Sequence, residues 1–209
     1  MALVHVLDIA QDVGQICKKC PNGTLQRAII RSARRFLRES RWYQTAIPGA
    51  TAAGTRAYSL GSDPYEEIIA IRAMSITQAN GTVVPVVDSD PSGWNPNGSE
   101  GLPRRYAYLP EGQFALDNVP DATYSLLVTV ALIPKAGQVQ IEERVLSKWD
   151  QAIQAGALDY LLRLKEPWQD INEANAQLRR FQAGISNAKA DEQRRFQQGS
   201  QRAVSRAIF

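Results

Sequence analysis

The chain has 209 residues, of which 44% are hydrophobic, 22% charged and 8% aromatic. This balance predicts one globular domain, or one domain with a projecting part, with enough apolar residues for a core. No apolar run approaches the ~20 residues that span a bilayer, and the N-terminus lacks the apolar segment of a signal peptide. Two cysteines and one histidine leave little for a disulfide scaffold or a metal centre. We therefore expect no membrane protein, no small secreted domain, no zinc enzyme and no cofactor.

Charge is distributed unevenly, although the net charge is only +3. Residues 1–43 carry a net charge of +5, residues 44–140 one of −4 and residues 141–209 one of +2. The last seventeen residues hold four arginines and no acid, at Arg194, Arg195, Arg202 and Arg206. Basic ends around an acidic middle favour docking against oppositely charged surfaces, including other copies of the chain.

Two helices are predicted before residue 44. The first runs from about Val4 to Cys17, and a turn at Cys20–Gly23 precedes a second helix that Thr24 is expected to cap. The second helix extends to about Trp42 and has an apolar face opposite a basic one. At 100° per residue, its arginines fall in an arc of roughly 120°; they are Arg27, Arg31, Arg34, Arg35, Arg38 and Arg41.

The middle of the chain changes to the composition of strands, rich in Ile, Val, Tyr and Thr. Strands are predicted at residues 55–60, 67–77, 82–87, 104–109, 113–116 and 123–133. Asn80-Gly81 and Glu111-Gly112 indicate tight hairpin turns. The connection 88–103, with Asp88, Asp90 and Trp94, is long for a compact domain and indicates a functional or disordered loop.

Helical periodicity returns after Pro134. Apolar residues recur every four positions from Ile141 to Leu161, Pro167-Trp168 interrupts the pattern, and Asp170 with Glu173 forms a capping-box pattern. The following helix has a coiled-coil-like apolar stripe and is expected to end near Gln198. The tail 199–209 has no sustained period and ends in Ile208 and Phe209.

No residue pattern predicts an enzyme. Cys17 and Cys20 form a single C-x-x-C at a helix C-terminus, where the helix dipole cannot activate a thiol, and His5 alone does not complete a zinc site. Glu66 and Glu67 begin a strand, so their side chains should point to opposite faces. Neither phosphate-binding glycine motif is present.

The two basic features allow several interpretations. The arginine stripe is a solvated helix face, a surface near DNA phosphates, or a protein interface in which guanidinium groups pair with carboxylates. Sequence-specific DNA binding is not favoured, because no aromatic residues alternate with the arginines. The tail is a frayed end or a segment that orders on a partner, with Ile208 and Phe209 as anchors.

Several short stretches together resemble the head-to-tail adaptor proteins of tailed bacteriophages. The resemblance covers nearly the whole chain and rests on the order and spacing of these stretches. They are residues 2–8 (ALVHVLD), 25–36 (LQRAIIRSARRF), 40–42 (SRW), 102–106 (LPRRY), 130–134 (VALIP), 149–157 (WDQAIQAGA), 167–168 (PW) and 181–185 (FQAGI).

The resemblance implies a virion structural protein that is assembled in the host cytoplasm and lies at the head–tail junction. It implies a ring of twelve copies under the portal protein, a tail or nozzle protein on the opposite face, and genomic DNA passing through the lumen without sequence specificity. On this basis, Arg194–Phe209 is expected to dock on the portal, and Asp88, Asp90 and Trp94 to contact a tail protein or a neighbouring copy.

The predicted fold class is α+β. Residues 1–43 and 138–198 are expected to form a helical bundle, residues 44–137 a small antiparallel β-module, and residues 199–209 an extended tail. The alternatives are a ring component of the tail-completion, collar or baseplate type and, less favoured, a non-specific DNA-binding protein. The latter would bind free duplex with a steep salt dependence.

Overall fold

The computed structural model describes residues 2–61, 63–94, 98–109 and 112–205, and gives residues 196–205 by backbone alone. The described residues form four α-helices and nine β-strands, which confirms the predicted α+β class. In chain order the elements are β1 (Leu3–His5), α1 (Leu7–Ile16), α2 (Asn22–Ser40), β2 (Gln44–Ala50), β3 (Ala57–Ser59), β4 (Glu66–Thr77), β5 (Val83–Asp88), β6 (Arg105–Leu109), β7 (Gln113–Leu116), β8 (Ser125–Pro134), β9 (Gln140–Glu142), α3 (Glu143–Leu162) and α4 (Ile171–Ser205).

The chain divides into two compact units. The helical unit comprises Met1–Tyr43 and Ile133–Phe209, and the β unit comprises Gln44–Leu132. Strands β1 and β9 form a two-stranded antiparallel sheet, with Val4 opposite Ile141. The first and last parts of the helical unit are therefore joined by strand pairing as well as by helix packing.

Helices α2, α3 and α4 share an apolar core. Phe36, Ile153 and Phe181 are almost fully buried, and the Phe36 and Phe181 rings lie 6.3 Å apart. The buried Ser32 hydroxyl donates a 2.6 Å hydrogen bond to the Ile153 carbonyl oxygen, which fixes α2 against α3. The helices approach each other closely at two points that require glycine. A Cβ on Gly156 would collide with Ser32 and Phe181, and a Cβ on Gly184 would lie 2.5 Å from the Ala152 Cβ.

Local signals predicted some helix ends well and others poorly. As the capping-box pattern indicates, the Asp170 carboxylate accepts the N–H groups of Asn172 and Glu173, both at 3.0 Å. Thr24, by contrast, does not cap α2. Pro21 occupies the N-cap position with extended backbone, because its ring already fixes a φ of −62° there, and the helix begins at Asn22. Helix α4 continues to Ser205, beyond the expected end near Gln198.

The N-terminus also differs from prediction. The first helix was expected from about Val4, but Leu3–His5 form β1 and α1 begins at Leu7. Strands β1, β2 and β9 were not predicted. They are short or contain turn residues, and only their pairing partners decide their extended conformation. Strand β2 includes Pro48 and lies at the sheet edge beside β8, where the N–H group that proline lacks is not needed for pairing.

The β unit contains a mostly antiparallel seven-stranded sheet in the order β2-β8-β4-β5-β6-β7-β3. The predicted turn at Asn80-Gly81 joins β4 to β5, with Gly81 at a φ of +82°. Strands β6 and β7 pair antiparallel, as the second hairpin requires, although Glu111 lies outside the described residues. The expected all-antiparallel module needs one correction: β5 and β6 are parallel, because the long connection between them returns the chain before the next strand begins.

Candidate functional site

The histidine and the two cysteines considered for catalysis have structural roles: His5 accepts a backbone hydrogen bond, and both cysteines are buried. The His5 Nδ1 atom accepts the Leu7 N–H at 3.2 Å, where the chain turns from β1 into α1. Cys17 and Cys20 are free and buried at the end of α1. Burial, with a smaller contribution from Cys20, raises the pKa of Cys17 to about 11, and burial also raises the pKa of Cys20. Both thiols are therefore protonated at neutral pH and are poor nucleophiles.

The two adjacent carboxylates at the start of β4, Glu66 and Glu67, lie apart from each other. Glu66 is buried and Glu67 exposed, so the two carboxylates do point to opposite faces of β4. Across the described ranges, no cluster of three or more His, Cys, Asp or Glu side chains could hold a metal ion. In the same part of the chain, no helix has the length and hydropathy needed to cross a membrane.

The arginine face of α2 is present as the helical period predicts. Leu25, Ile29, Ala33, Phe36 and Leu37 are buried on one side, and five of the six arginines are exposed on the other, with Arg34 half-buried. A helix buries its apolar stripe to gain stability, and this leaves the opposite stripe at the surface. The sequence alone was enough to locate this surface.

Tertiary contacts decide how the arginine side chains are held. The Arg31 guanidinium lies 4.4 Å from the centre of the Tyr160 ring, and the Arg35 guanidinium lies 5.2 Å from that of Phe181. Arg34 donates to the Pro134 carbonyl oxygen, and Arg35 pairs with Glu39 at 2.8 Å. These contacts restrict the rotamers of long side chains and hold their positive charge over one region.

That region is a groove between α2 and the turn at residues 136–139, with a cavity volume of about 630 Å³. We call it the arginine groove. Its lining includes five arginines and one carboxylate, together with the apolar side chains of Ile30 and Val139; the charged residues are Arg27, Arg31, Arg34, Arg35, Arg38 and Glu39. Arg41 does not line the groove. It ends α2 in the left-handed conformation, with a φ of +51°.

A second candidate surface lies in the β unit, where β5 ends. We call residues 88–93 the acidic turn. Asp90 caps a short 3-10 turn at Pro91–Gly93 by accepting the Ser92 N–H at 2.8 Å, which lowers the pKa of Asp90. Asp88 and Asp90 are exposed and border a hollow with a volume of about 430 Å³. The turn therefore presents negative charge at neutral pH.

Side chains around the acidic turn hold it in place. The Trp94 indole N–H donates to the Ser89 hydroxyl at 3.2 Å, and the Arg56 guanidinium lies 5.5 Å from the centre of the Trp94 ring. These contacts fix the Trp94 side chain against Ser89 and Arg56 of the same unit. At the far end of that connection, the Asp117 carboxylate accepts backbone N–H groups of Arg104 and Arg105. Burial opposes ionisation of Asp117, but these hydrogen bonds keep its pKa below the ordinary value.

The described part of the basic C-terminus forms an unpredicted cluster. The Asp191 carboxylate accepts the Trp42 indole N–H at 2.6 Å and pairs with Lys148 at 2.9 Å and Arg195 at 3.1 Å. The Arg195 guanidinium lies 4.4 Å from the centre of the Trp42 ring. We call Trp42, Lys148, Asp191 and Arg195 the Asp191 cluster. It joins the second half of α4 to α3 and to Trp42, two residues after the end of α2.

Other expected docking residues are described less fully. Arg194 is exposed on α4. Arg202 is described by backbone alone, and Arg206, Ile208 and Phe209 lie outside the described residues. Among the expected docking residues, the structure therefore joins Arg195 to the Asp191 cluster. Sequence reasoning missed Asp191, although its i,i+4 spacing to Arg195 is a signal for an ion pair.

Comparison with known families supports a structural role. The family model described as the SU10 adaptor protein matches residues 6–206, which covers all of the β unit and most of the helical unit. The chain belongs to the SU10 adaptor protein family. Membership in this family makes it a phage structural adaptor and favours a place in the virion, and such adaptors are typically not enzymes. No curated protein matched the chain.

Proposed function

We propose that this SU10 adaptor family member joins the DNA-filled head to the tail as a ring of twelve copies bound beneath the portal protein. The family match over residues 6–206 is the observation that carries the proposal. The lumen of the ring continues the DNA channel, and a tail or nozzle protein binds the opposite face. Because an identical patch-to-patch contact closes into a ring when its rotation permits, one chain with two complementary surfaces is sufficient for the assembly.

The charge of the surfaces agrees with this role. The arginine groove places several guanidinium groups on one face of α2, suited either to a neighbouring copy or to the lumen. The acidic turn, with Asp88 and Asp90, is suited to a tail protein or a neighbouring copy. Arg194, Arg195, Arg202 and Arg206 would steer the C-terminal segment toward the portal, where Ile208 and Phe209 would provide apolar anchors.

Co-sedimentation with purified portal rings tests the portal contact. The full chain is compared with a chain that ends at Gln198, which keeps Arg195 in the Asp191 cluster and therefore leaves the described packing of α4 intact. We expect the full chain to form a ring on the portal and the truncated chain to remain in the supernatant.

Other outcomes separate the parts of the proposal. If both chains bind, the adaptor function stands but the docking role of residues 199–209 is wrong. If neither binds and the full chain instead sediments with purified tail tubes, the protein is a tail-completion component. Tight binding of free duplex with a steep salt dependence would favour the DNA-binding alternative.

A further inference from the structure

Arginine side chains of the arginine groove retain hydrogen-bond donors that the helical unit does not use. Arg38 is exposed at the groove and has no hydrogen-bond or ion-pair partner among the described residues. The Arg27 Nε atom donates to the Gly23 carbonyl oxygen at 3.0 Å, which leaves its terminal nitrogen atoms as further donors. Glu39 supplies the only carboxylate among the described lining residues, against five guanidinium groups. The excess of positive charge therefore favours a ligand that carries negative charge.

The acidic turn has the complementary properties. Asp88 and Asp90 are two residues apart and exposed, beside a hollow that can accept a guanidinium group. Two other carboxylates of the β unit are already engaged: Asp117 pairs with Arg105 at 3.2 Å, and Asp121 accepts a hydrogen bond from the Tyr124 hydroxyl. The turn also carries apolar surface, because Val87 precedes it and is 60% exposed.

The shape and lining of the groove distinguish a polypeptide from DNA. A DNA duplex is too wide to enter a cavity with a volume of about 630 Å³, so its phosphates could reach only the arginines at the rim. A turn of polypeptide can enter, and its apolar atoms can cover Ile30 and Val139 while its carboxylates meet the guanidinium groups. Charge complementarity of this kind also sets orientation and disfavours wrong pairings.

We propose that the arginine groove of one copy binds the acidic turn of a second copy, with Arg38 paired to Asp90. This inference rests on the proposed ring and names the contact between its neighbouring subunits. The groove and the turn are different patches, so the contact is head-to-tail and repeats from copy to copy until the ring closes.

Cross-linking between two different variants tests the contact directly. One preparation carries Glu39→Cys, which places a thiol in the groove and leaves Arg38 intact. The other carries Ser92→Cys, which places a thiol on the acidic turn and keeps the backbone N–H that Asp90 accepts. The native cysteines are buried, so a short bismaleimide reacts mainly at the new thiols. The two preparations are mixed, both free at high concentration and bound to portal rings, and the products are separated on a denaturing gel.

We expect a covalent dimer in the mixture and none in either preparation alone, because only a head-to-tail contact brings the two thiols together. Arg38→Glu in the groove partner should abolish the dimer, and Asp90→Lys in the other partner should restore it. Arg179→Glu is the matched control, since Arg179 is an exposed arginine on α4 that does not line the groove. It should leave the yield unchanged.

The outcomes separate this inference from the proposed function. Portal binding without a cross-linked dimer in either sample overturns the contact and leaves the adaptor function standing. A dimer that forms without portal binding supports the contact and contradicts the portal role. A dimer that persists with Arg38→Glu alone also overturns the proposed pairing. In a separate binding assay with free duplex, loss of DNA binding on Arg38→Glu with no loss of the dimer would overturn the pairing and assign the groove to DNA.

Discussion

Gly184 shows how a single hydrogen atom in place of a side chain sets the distance between two helices. A Cβ at this position would lie 2.5 Å from the Ala152 Cβ, closer than packed carbon atoms approach. Gly184→Ala should therefore force α3 and α4 apart and lower the free energy of unfolding by roughly 1–3 kcal/mol. Urea denaturation measures the change. Gly23→Ala is the control, because Gly23 lies in α2 with open space around it, and it should be neutral or stabilising.

Asp191 makes the stability of the helical unit depend on pH. The Trp42 hydrogen bond lowers the pKa of Asp191 most strongly; burial is the next largest effect and opposes it, and Lys148 and Arg195 lower the pKa further. A lowered folded-state pKa gives stability that is present above the unfolded pKa, about 3.9, and is lost as the pH falls through the folded value. Asp191→Asn should thus lower stability at pH 7 by about 1 kcal/mol and flatten the decline in stability as the pH falls below about 5.

Equilibrium unfolding followed at several pH values checks this expectation. Asp117, whose pKa is also lowered, should still give the variant some acid sensitivity. Glu39→Gln is the matched control, because the Arg35–Glu39 pair is exposed on both sides, and its loss should change stability by less than about 0.5 kcal/mol. An equal effect of both substitutions would contradict the importance of the Asp191 cluster.

At the scale of the elements, the turn between α1 and α2 contains a strained residue. Lys19 has a φ of +67°, a conformation in which a side chain is unfavourable and glycine is not. Lys19→Gly should therefore raise the free energy of unfolding by about 0.5–1 kcal/mol. Lys18→Gly removes the same charge from the same exposed turn but relieves no strain, and it should be neutral or destabilising. Thermal unfolding of the two variants separates the effects of strain and charge.

At the scale of the whole molecule, the β unit is inserted into the helical unit at adjacent points. Gln44 and Ala131 face each other across the β2–β8 pair, so a short linker can join the chain there. Replacing residues 45–130 by a few Gly and Ser residues should leave the helical unit folded, because its core residues Phe36, Ile153 and Phe181 all belong to that unit. The variant should keep a cooperative unfolding transition and strong helical circular dichroism.

A further substitution distinguishes a packed helical unit from a chain in which helices form without packing against each other. Phe36→Ala in the shortened chain removes a fully buried ring, which costs about 3–5 kcal/mol, and should abolish the cooperative transition. Helical signal without a cooperative transition in the shortened chain itself would show that the helical unit depends on the β unit for its fold.

The sequence determined the features that follow from local chemistry. The 3.6-residue period located both faces of α2, Asp170 marked the start of α4, and Asn80-Gly81 marked the β4–β5 turn. Each signal lies within a few residues of the structure it specifies. Backbone preferences and the burial of one helix face are therefore sufficient to predict that structure. The order of short stretches also predicted the adaptor character that the family match supports.

The features that join distant residues follow from tertiary packing and could not be read from local patterns. The extended conformation of β1 depends on β9, more than a hundred residues later, and the parallel β5–β6 pair depends on where a long connection returns. The arginine groove exists because the turn at 136–139 lies beside α2, and the Asp191 cluster exists because α4 returns to Trp42. Pairing and packing between such segments are set by the free energy of the whole fold, which no local pattern of residues contains.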